Sequence, residues 1–375
     1  MKFKIPIFKL KFNFLFKLKF LRKAWEILSA DRPIGESKYV KEFENKFAKL
    51  NNSKYSISCS NGTAAIDLVL RAIDVTGKDV IMPSNTFFAT SVAVSNAGGK
   101  IKLVDIEEEN LSIDPKELRK KITKKTGAVI IVHIGGIITK HIKEIVSICE
   151  EYNVPLIEDA AHAHCSTFKK VTAGNFGIAG CFSFFPTKVM TSAEGGMVTT
   201  NNLELANKVK SLKNFGRSNE NGGICINPLG NNYKIHEFTG LLGTLECDRV
   251  NKRIDKRNKL VNRYVENLKN SSYITVLQKE GRCSYYKMIL RTNINTDWLK
   301  KYCKDSNISL TGEVYKIPVH QQPLYKDTKL GKTKLPVTDK ICIGHICPPL
   351  YPELSIKEID YICKVLIKAE SEYEK

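Results

Sequence analysis

The chain predicts an α/β fold: a large domain with a mixed, mostly parallel sheet flanked by helices, and a smaller α+β domain at its C-terminal end. Three features carry that expectation. From residue 55 onward, short β-rich apolar runs alternate with stretches of helical periodicity, the pattern of strands joined by crossover helices. At 375 residues the chain exceeds what one core usually serves. A long polar helical stretch, Glu237–Asn270, then separates the strand-rich part from a mixed remainder.

In chain order, Tyr55–Cys59 reads as a strand and Gly62–Asp74 as a helix capped by Ser60 or Asn61. Asp79–Met82 is a strand and Phe87–Ala97 an apolar helix. Ile101–Val104, Ala128–His133 and Val154–Glu158 are strands, with the amphipathic helix Lys140–Tyr152 before the last. Gly180–Phe184 and Gly196–Thr200 read as strands flanking a loop, and Leu203–Phe215 as a helix. Beyond Asn270 come the strand Tyr285–Leu290 and the helices Trp298–Cys303 and Ile356–Ala369. The expected division is an extension over 1–23, a large domain over 24–245 and a small domain over 246–375.

Composition narrows the class. With 42% hydrophobic and 26% charged residues the chain is globular rather than disordered or fibrous. No run of about 20 apolar residues is available to span a bilayer. The formal charge of +20 is concentrated at the start, where residues 1–23 hold eight basic residues and no acid. From Phe8 to Phe20 every even position is apolar, a period of two that predicts a strand with one apolar and one cationic face. Such a strand could join a sheet edge, pair across a dimer or rest on an anionic membrane; a tail ordered only on contact is the plainer alternative. No nucleic-acid-binding module is present to exploit the charge. The eleven cysteines are scattered and odd in number, which points to a reducing, cytoplasmic setting. Cys342-Ile-Gly-His345-Ile-Cys347 reads as core strand or turn, and no metal site is expected.

Four local signals bear on chemistry. Ser60-Asn61-Gly62-Thr63 stands between a strand and a helix, where backbone amides can cradle a phosphate; read alone it is also an ordinary capped helix. The strand that includes Val154–Ile157 ends in Glu158-Asp159, placing a carboxylate where α/β sheets bind ligands, fit for a protonated ring nitrogen, a metal, a ribose or merely a helix cap. His162 and His164 would not face the same side of that junction, which argues against zinc. In Phe182-Ser183-Phe184-Phe185-Pro186-Thr187-Lys188, Lys188 is the sole cation between 171 and 207. Desolvation in such an apolar turn would favour the neutral amine that a Schiff base needs, although a surface loop lysine is the simpler reading. Leu229–Glu237 is a Gly/Asn turn opening a helix.

Phosphate cradle, ring-nitrogen carboxylate and Schiff-base lysine, in that order, are what pyridoxal phosphate chemistry requires. The segments SNGTAAIDLVLRA, NTFFAT, VPLIEDAAHAH, GNFGIAGCFSFFPTKVMTSAEGGMVTT, LGNNYKIHEF and PPLYPELS resemble the DegT/DnrJ/EryC1/StrS group of sugar-nucleotide aminotransferases, of fold type I, from about Ser29 to the C-terminus. The resemblance implies that Lys188 bonds to the cofactor and later moves a proton. It implies that Asp159 pairs with the pyridine nitrogen and that His162 lies near the 3′ oxygen. Gly62, Thr63 and Ser183 match phosphate-binding positions, and Phe87 the aromatic that stacks on the ring. Asn232 matches an asparagine reaching the phosphate from a neighbouring subunit, hence a homodimer with shared sites. Cys165, Val189, Ala193 and Lys234 depart from the commoner residues without removing a chemical group the reaction needs.

The implied reaction moves an amino group from L-glutamate to a keto-sugar nucleotide. TSAEGG favours a 4-keto-6-deoxy sugar and the PTK wording a 3-keto one. A sugar dehydratase or lyase of the same fold is the alternative. Lys188 argues against the dehydratase branch, which carries His there. A charge-driven surface protein is the reading from another class.

Overall fold

The computed structural model describes residues 4–31, 33–218, 224–277, 281–311 and 313–373. Lys2 of the basic tract lies outside the described residues. Two helices, α1 (Phe14–Leu28) and α2 (Lys38–Asn51), precede an alternating series. That series is β1 (Tyr55–Cys59), α3 (Gly62–Ala72), β2 (Asp79–Pro83), α4 (Phe88–Asn96), β3 (Lys100–Val104), α5 (Pro115–Lys121), β4 (Thr126–Val132), α6 (Ile142–Glu151) and β5 (Leu156–Asp159). A small hairpin, β6 (Thr167–Phe168) and β7 (Val171–Thr172), leads to β8 (Ala179–Ser183), β9 (Gly196–Thr200), α7 (Leu203–Leu212), α8 (Glu237–Cys247) and α9 (Val250–Leu268). The remainder holds β10 (Ile274–Val276), β11 (Leu290–Thr292), α10 (Thr296–Asp305), α11 (Pro336–Ile343), β12 (His345–Ile346) and α12 (Ile356–Tyr373).

Seven strands form one sheet in the order β1-β9-β8-β5-β4-β2-β3, in which β9 is antiparallel to both neighbours and the pairs from β8 to β3 are parallel. The middle strands are apolar on both faces because helices cover both. Ile130, Ile157 and Val198 pack with Leu68 and Val69 of α3. The alternate residues Ile131, Leu156 and Met197 pack with Phe43 and Phe47 of α2 and Ile145 of α6. A second sheet, β10-β11-β12, is antiparallel and shares a core with α9, α10 and α12 through Tyr264, Leu299 and Ile362.

Three expectations need correction. The N-terminal tract is not a strand: Asn13 caps α1 by accepting the Phe16 amide at 2.8 Å, and the helix runs on to Leu28. The cause is tertiary. Phe16, Phe20, Ala24 and Ile27 recur at helical spacing and pack against Tyr39 of α2 and Leu241 and Leu245 of α8. The stretch Glu237–Asn270 is two helices, broken at Asp248–Arg249, not one. Of Tyr285–Leu290 only Leu290 is in a strand, because Tyr285 takes a left-handed conformation at φ 48° and its carbonyl accepts from the buried Arg257 at 2.9 Å. Helices α2, α5 and α11 and strands β6, β7 and β10 went unanticipated, although Tyr39, Val40, Phe43 and Phe47 mark the buried face of α2; β12 falls within the Cys342–Cys347 stretch that reads as core strand or turn.

Candidate active site

Strands β1, β4, β5 and β8 end on the same edge of the large sheet, and a cavity of about 580 Å³ opens there. Gly62, Thr63, Phe87, Asp159, His162, Ser183 and Lys188 all line it. Local geometry explains why. Asn61 caps α3 by accepting the Ala64 amide at 2.9 Å, which leaves the first-turn amides of Gly62 and Thr63 without intrahelical acceptors. Gly62 is pressed against Ser183 so closely that a β-carbon there would lie 2.8 Å from the Ser183 Cβ. A helix N-terminus, a hydroxyl and a glycine too close for a side chain form an anion cradle.

Asp159 ends β5 with its carboxylate buried. Oδ2 accepts from Thr90 Oγ1 at 3.0 Å and Oδ1 from the Ala161 amide at 3.2 Å. Burial raises its pKa, against the pull of those two donors and of Lys188. Lys188 follows the Pro186-Thr187 turn, its Nζ 4.5 Å from the centre of the Tyr286 ring. The Thr187 and Tyr286 hydroxyls lie 3.0 Å apart and steady that ring. Desolvation lowers the Lys188 pKa to about 8; Asp159 opposes the shift and Lys287 adds to it. A lysine that gives up its proton far more readily than a free one and a desolvated carboxylate thus line one cavity.

His162 Nδ1 accepts the Gly135 amide at 3.3 Å, so Nε2 carries the hydrogen of the neutral ring and donates to Tyr315 Oη, also at 3.3 Å. Burial, with Lys188 and Lys287 nearby, holds its pKa well below the ordinary range. The half-exposed Phe87 ring stands 6.2 Å from the Tyr315 ring across the mouth. His164 is elsewhere, buried against the rings of Phe182 and Phe184 at 5.5 and 5.2 Å. Asn232 does not line the cavity; it is exposed, and its amide donates to Asn231 Oδ1 at 2.8 Å.

Sequence reasoning missed Thr90, Tyr286, Lys287 and Tyr315, all of which line the cavity. Thr90 was within reach, since it stands three residues after Phe87, in the first turn of the helix that Phe87 precedes. Nothing local marks the other three, which come from irregular segments remote in sequence.

A sequence profile of the DegT/DnrJ/EryC1/StrS aminotransferase family matches residues 18–367. The chain belongs to this family. Among curated members, the GDP-perosamine synthase of Escherichia coli O157:H7 is 29% identical over 336 residues, covering 88% of this chain and 90% of that one. The dTDP-3-amino-3,6-dideoxy-alpha-D-galactopyranose transaminase of Aneurinibacillus thermoaerophilus is 28% identical, covering 92% of each. The structure of DesI in the presence of its TDP-sugar product superposes with a TM-score of 0.87 at 24% identity, covering 96% of this chain and 93% of that one. Like other DegT/DnrJ/EryC1/StrS aminotransferases, the chain is an aminotransferase with the type I fold that uses pyridoxal phosphate. Its own residues fit that cofactor: the cradle at Gly62 and Ser183 suits a phosphate, and the buried Asp159 carboxylate suits a protonated ring nitrogen.

Proposed function

We propose that the enzyme transfers the amino group of L-glutamate to a 4-keto-6-deoxy sugar nucleotide, making an amino sugar for glycan biosynthesis. The observation that carries this reading is the pairing of Lys188, its pKa lowered to about 8, with the buried Asp159 on one cavity floor. The bound cofactor supplies an electron sink for carbanion formation at the carbon bearing nitrogen. Lys188 Nζ, as a neutral amine, takes the proton from one carbon and returns it to another. Asp159, fixed by Thr90 and the Ala161 amide, holds the pyridine nitrogen protonated. Gly62, Thr63 and Ser183 hold the phosphate, and Phe87 covers the ring. His162 would face the 3′ oxygen. Lys287 remains as a second cation for an anionic group of the substrate.

The same reading makes the enzyme a homodimer, because Asn232 lies outside its own cavity and would reach the phosphate of a neighbouring subunit, and its scattered cysteines suit a cytoplasmic setting. It also keeps the division at residues 245–246, in the last turn of α8, just before the break at Asp248–Arg249 that leads into α9. A 3-keto sugar is the second reading, favoured by the name of the A. thermoaerophilus relative.

The test is a panel of 3-keto and 4-keto sugar nucleotides incubated with L-glutamate and the cofactor-loaded enzyme, with NMR locating the new amino group. Glutamate-dependent amination at C4 supports the proposal, and amination at C3 supports the second reading. Ammonia release or a deoxygenated sugar without glutamate consumption would replace both with a dehydratase or lyase. Turnover by a Lys188→Ala enzyme would refute the assigned role of that lysine.

A further inference from the structure

Helix α1 has two apolar faces, and the fold uses one. Phe16, Phe20, Ala24 and Ile27 face α2 and α8. At about 100° per residue, Phe14, Leu18, Leu21, Trp25 and Leu28 fall within an arc of about 80° on another side of the helix. These five are 72%, 48%, 63%, 74% and 65% exposed. Single exposed apolar residues are ordinary on protein surfaces, but a continuous stripe along one helix is not.

The charges beside the stripe have one sign. On the same projection Lys17 borders it on one side and Arg22 on the other. Both are exposed and form no ion pair among the described residues. Lys9, Lys11 and the partly exposed Leu10 extend the patch toward the N-terminus. The acids close by are already engaged: Glu26 pairs with Lys38 and accepts from the Tyr39 hydroxyl, and Asp248 pairs with Lys19 and Lys46. With 15 residues, α1 is about 22 Å long, too short to span a bilayer, and no described helix is long and apolar enough to cross one.

We propose that α1 docks the enzyme on an anionic membrane surface, its Phe14–Leu28 stripe lying in the plane of the interface and Lys17 and Arg22 meeting lipid phosphates. An apolar stripe edged with cations and lying flat is how amphipathic helices bind bilayers. Trp25 and the flanking basic side chains, which carry apolar stems, suit that boundary. Charge complementarity selects lipid over a second copy of the chain. Pairing this face with itself about a two-fold axis would bring Lys17 and Arg22 against their own counterparts, whereas an anionic leaflet neutralises them.

The test uses the full-length, cofactor-loaded enzyme and vesicles of phosphatidylcholine alone or mixed with phosphatidylglycerol. Co-sedimentation should be about tenfold stronger with the anionic vesicles and should weaken as salt is raised. The L21E/W25E variant should lose at least about tenfold in vesicle binding while keeping its activity and oligomeric state. Brominated lipid should quench tryptophan emission of the native enzyme more than that of a W25F variant, in which Trp298 is the remaining indole. Native enzyme that ignores anionic vesicles, or a double variant that binds them as well as the native form, would overturn the proposal. So would a variant that falls to a smaller oligomer, since a second copy would then be the occupant of the stripe.

Discussion

Gly62 and Ser183 meet in the wall of the cavity: a β-carbon on residue 62 would lie 2.8 Å from the Ser183 Cβ. Carbon atoms in contact sit about 3.5–4.0 Å apart, so residue 62 tolerates only hydrogen unless β8 or α3 shifts. The Gly62→Ala enzyme should fold normally but bind pyridoxal phosphate about tenfold more weakly or worse, the scale of about 1–3 kcal/mol of local overpacking. Absorbance titration of the apoenzyme with cofactor measures the change.

Lys188 makes a pH prediction of definite sign. Its folded pKa of about 8 lies below its ordinary 10.5. Below about 8 the lysine is charged in both states, and the folded apoenzyme bears the full cost of burying that charge. Between about 8 and 10.5 the unfolded chain binds more protons, so stability rises with pH and the cost disappears. A Lys188→Met apoenzyme should therefore melt higher than wild type at pH 7, with the gap shrinking by pH 10. Thermal denaturation at the two pH values checks it.

Removing the Asp159 charge should cost far more than removing one of its donors. We expect Asp159→Asn to lower kcat/KM by at least about 100-fold with the fold intact. Thr90→Val, which deletes one hydrogen bond to a charged group, should cost about 10- to 100-fold. In the Asp159→Asn background Thr90→Val should have little further effect, because the two residues act through one carboxylate.

Lys287 should couple to Lys188. Its positive charge helps depress the Lys188 pKa, so Lys287→Met should move the pH at which activity rises upward. The same change should raise KM for an anionic substrate more than it lowers kcat, and Lys287→Arg should restore most of both. Activity profiles over pH, together with steady-state kinetics, distinguish this from a packing defect.

Glu158, next to Asp159, is a structural anchor. Oε1 accepts the Phe176 and Gly177 amides at 2.6 and 2.8 Å, and Oε2 accepts the Gly174 amide at 2.6 Å and lies 2.9 Å from His133 Nε2. Glu158→Gln sets an amide donor against backbone N–H groups and should destabilise the protein by about 2–4 kcal/mol. Urea unfolding of the apoenzyme measures it.

Much of this was legible in the primary structure. Asn61-Gly62, Asp159 and Pro186-Thr187-Lys188 stand at strand ends, and a strand end is written locally in an apolar run followed by a cap, an acid or a proline. Seven of the eight residues proposed from the sequence accordingly line the cavity. Tyr286, Lys287 and Tyr315 were not legible as site residues. Tyr286 and Lys287 sit in a stretch that reads as a strand until the left-handed turn at Tyr285, and that turn accompanies a hydrogen bond from Arg257 on α9.

The first helix marks the same boundary. The alternation of strands and helices along the chain, the carboxylate and the lysine were determined by the sequence itself, because each rests on neighbours a few positions away. The state of residues 14–28 was decided by tertiary structure. Phenylalanine on alternate residues satisfies a strand on paper, and only the apolar surface formed by α2 and α8 selects the helical set Phe16, Phe20 and Ile27. That selection turns Leu18, Leu21 and Trp25 outward. Local periodicity tells which residues can share a face, and the partner surface decides which face is buried.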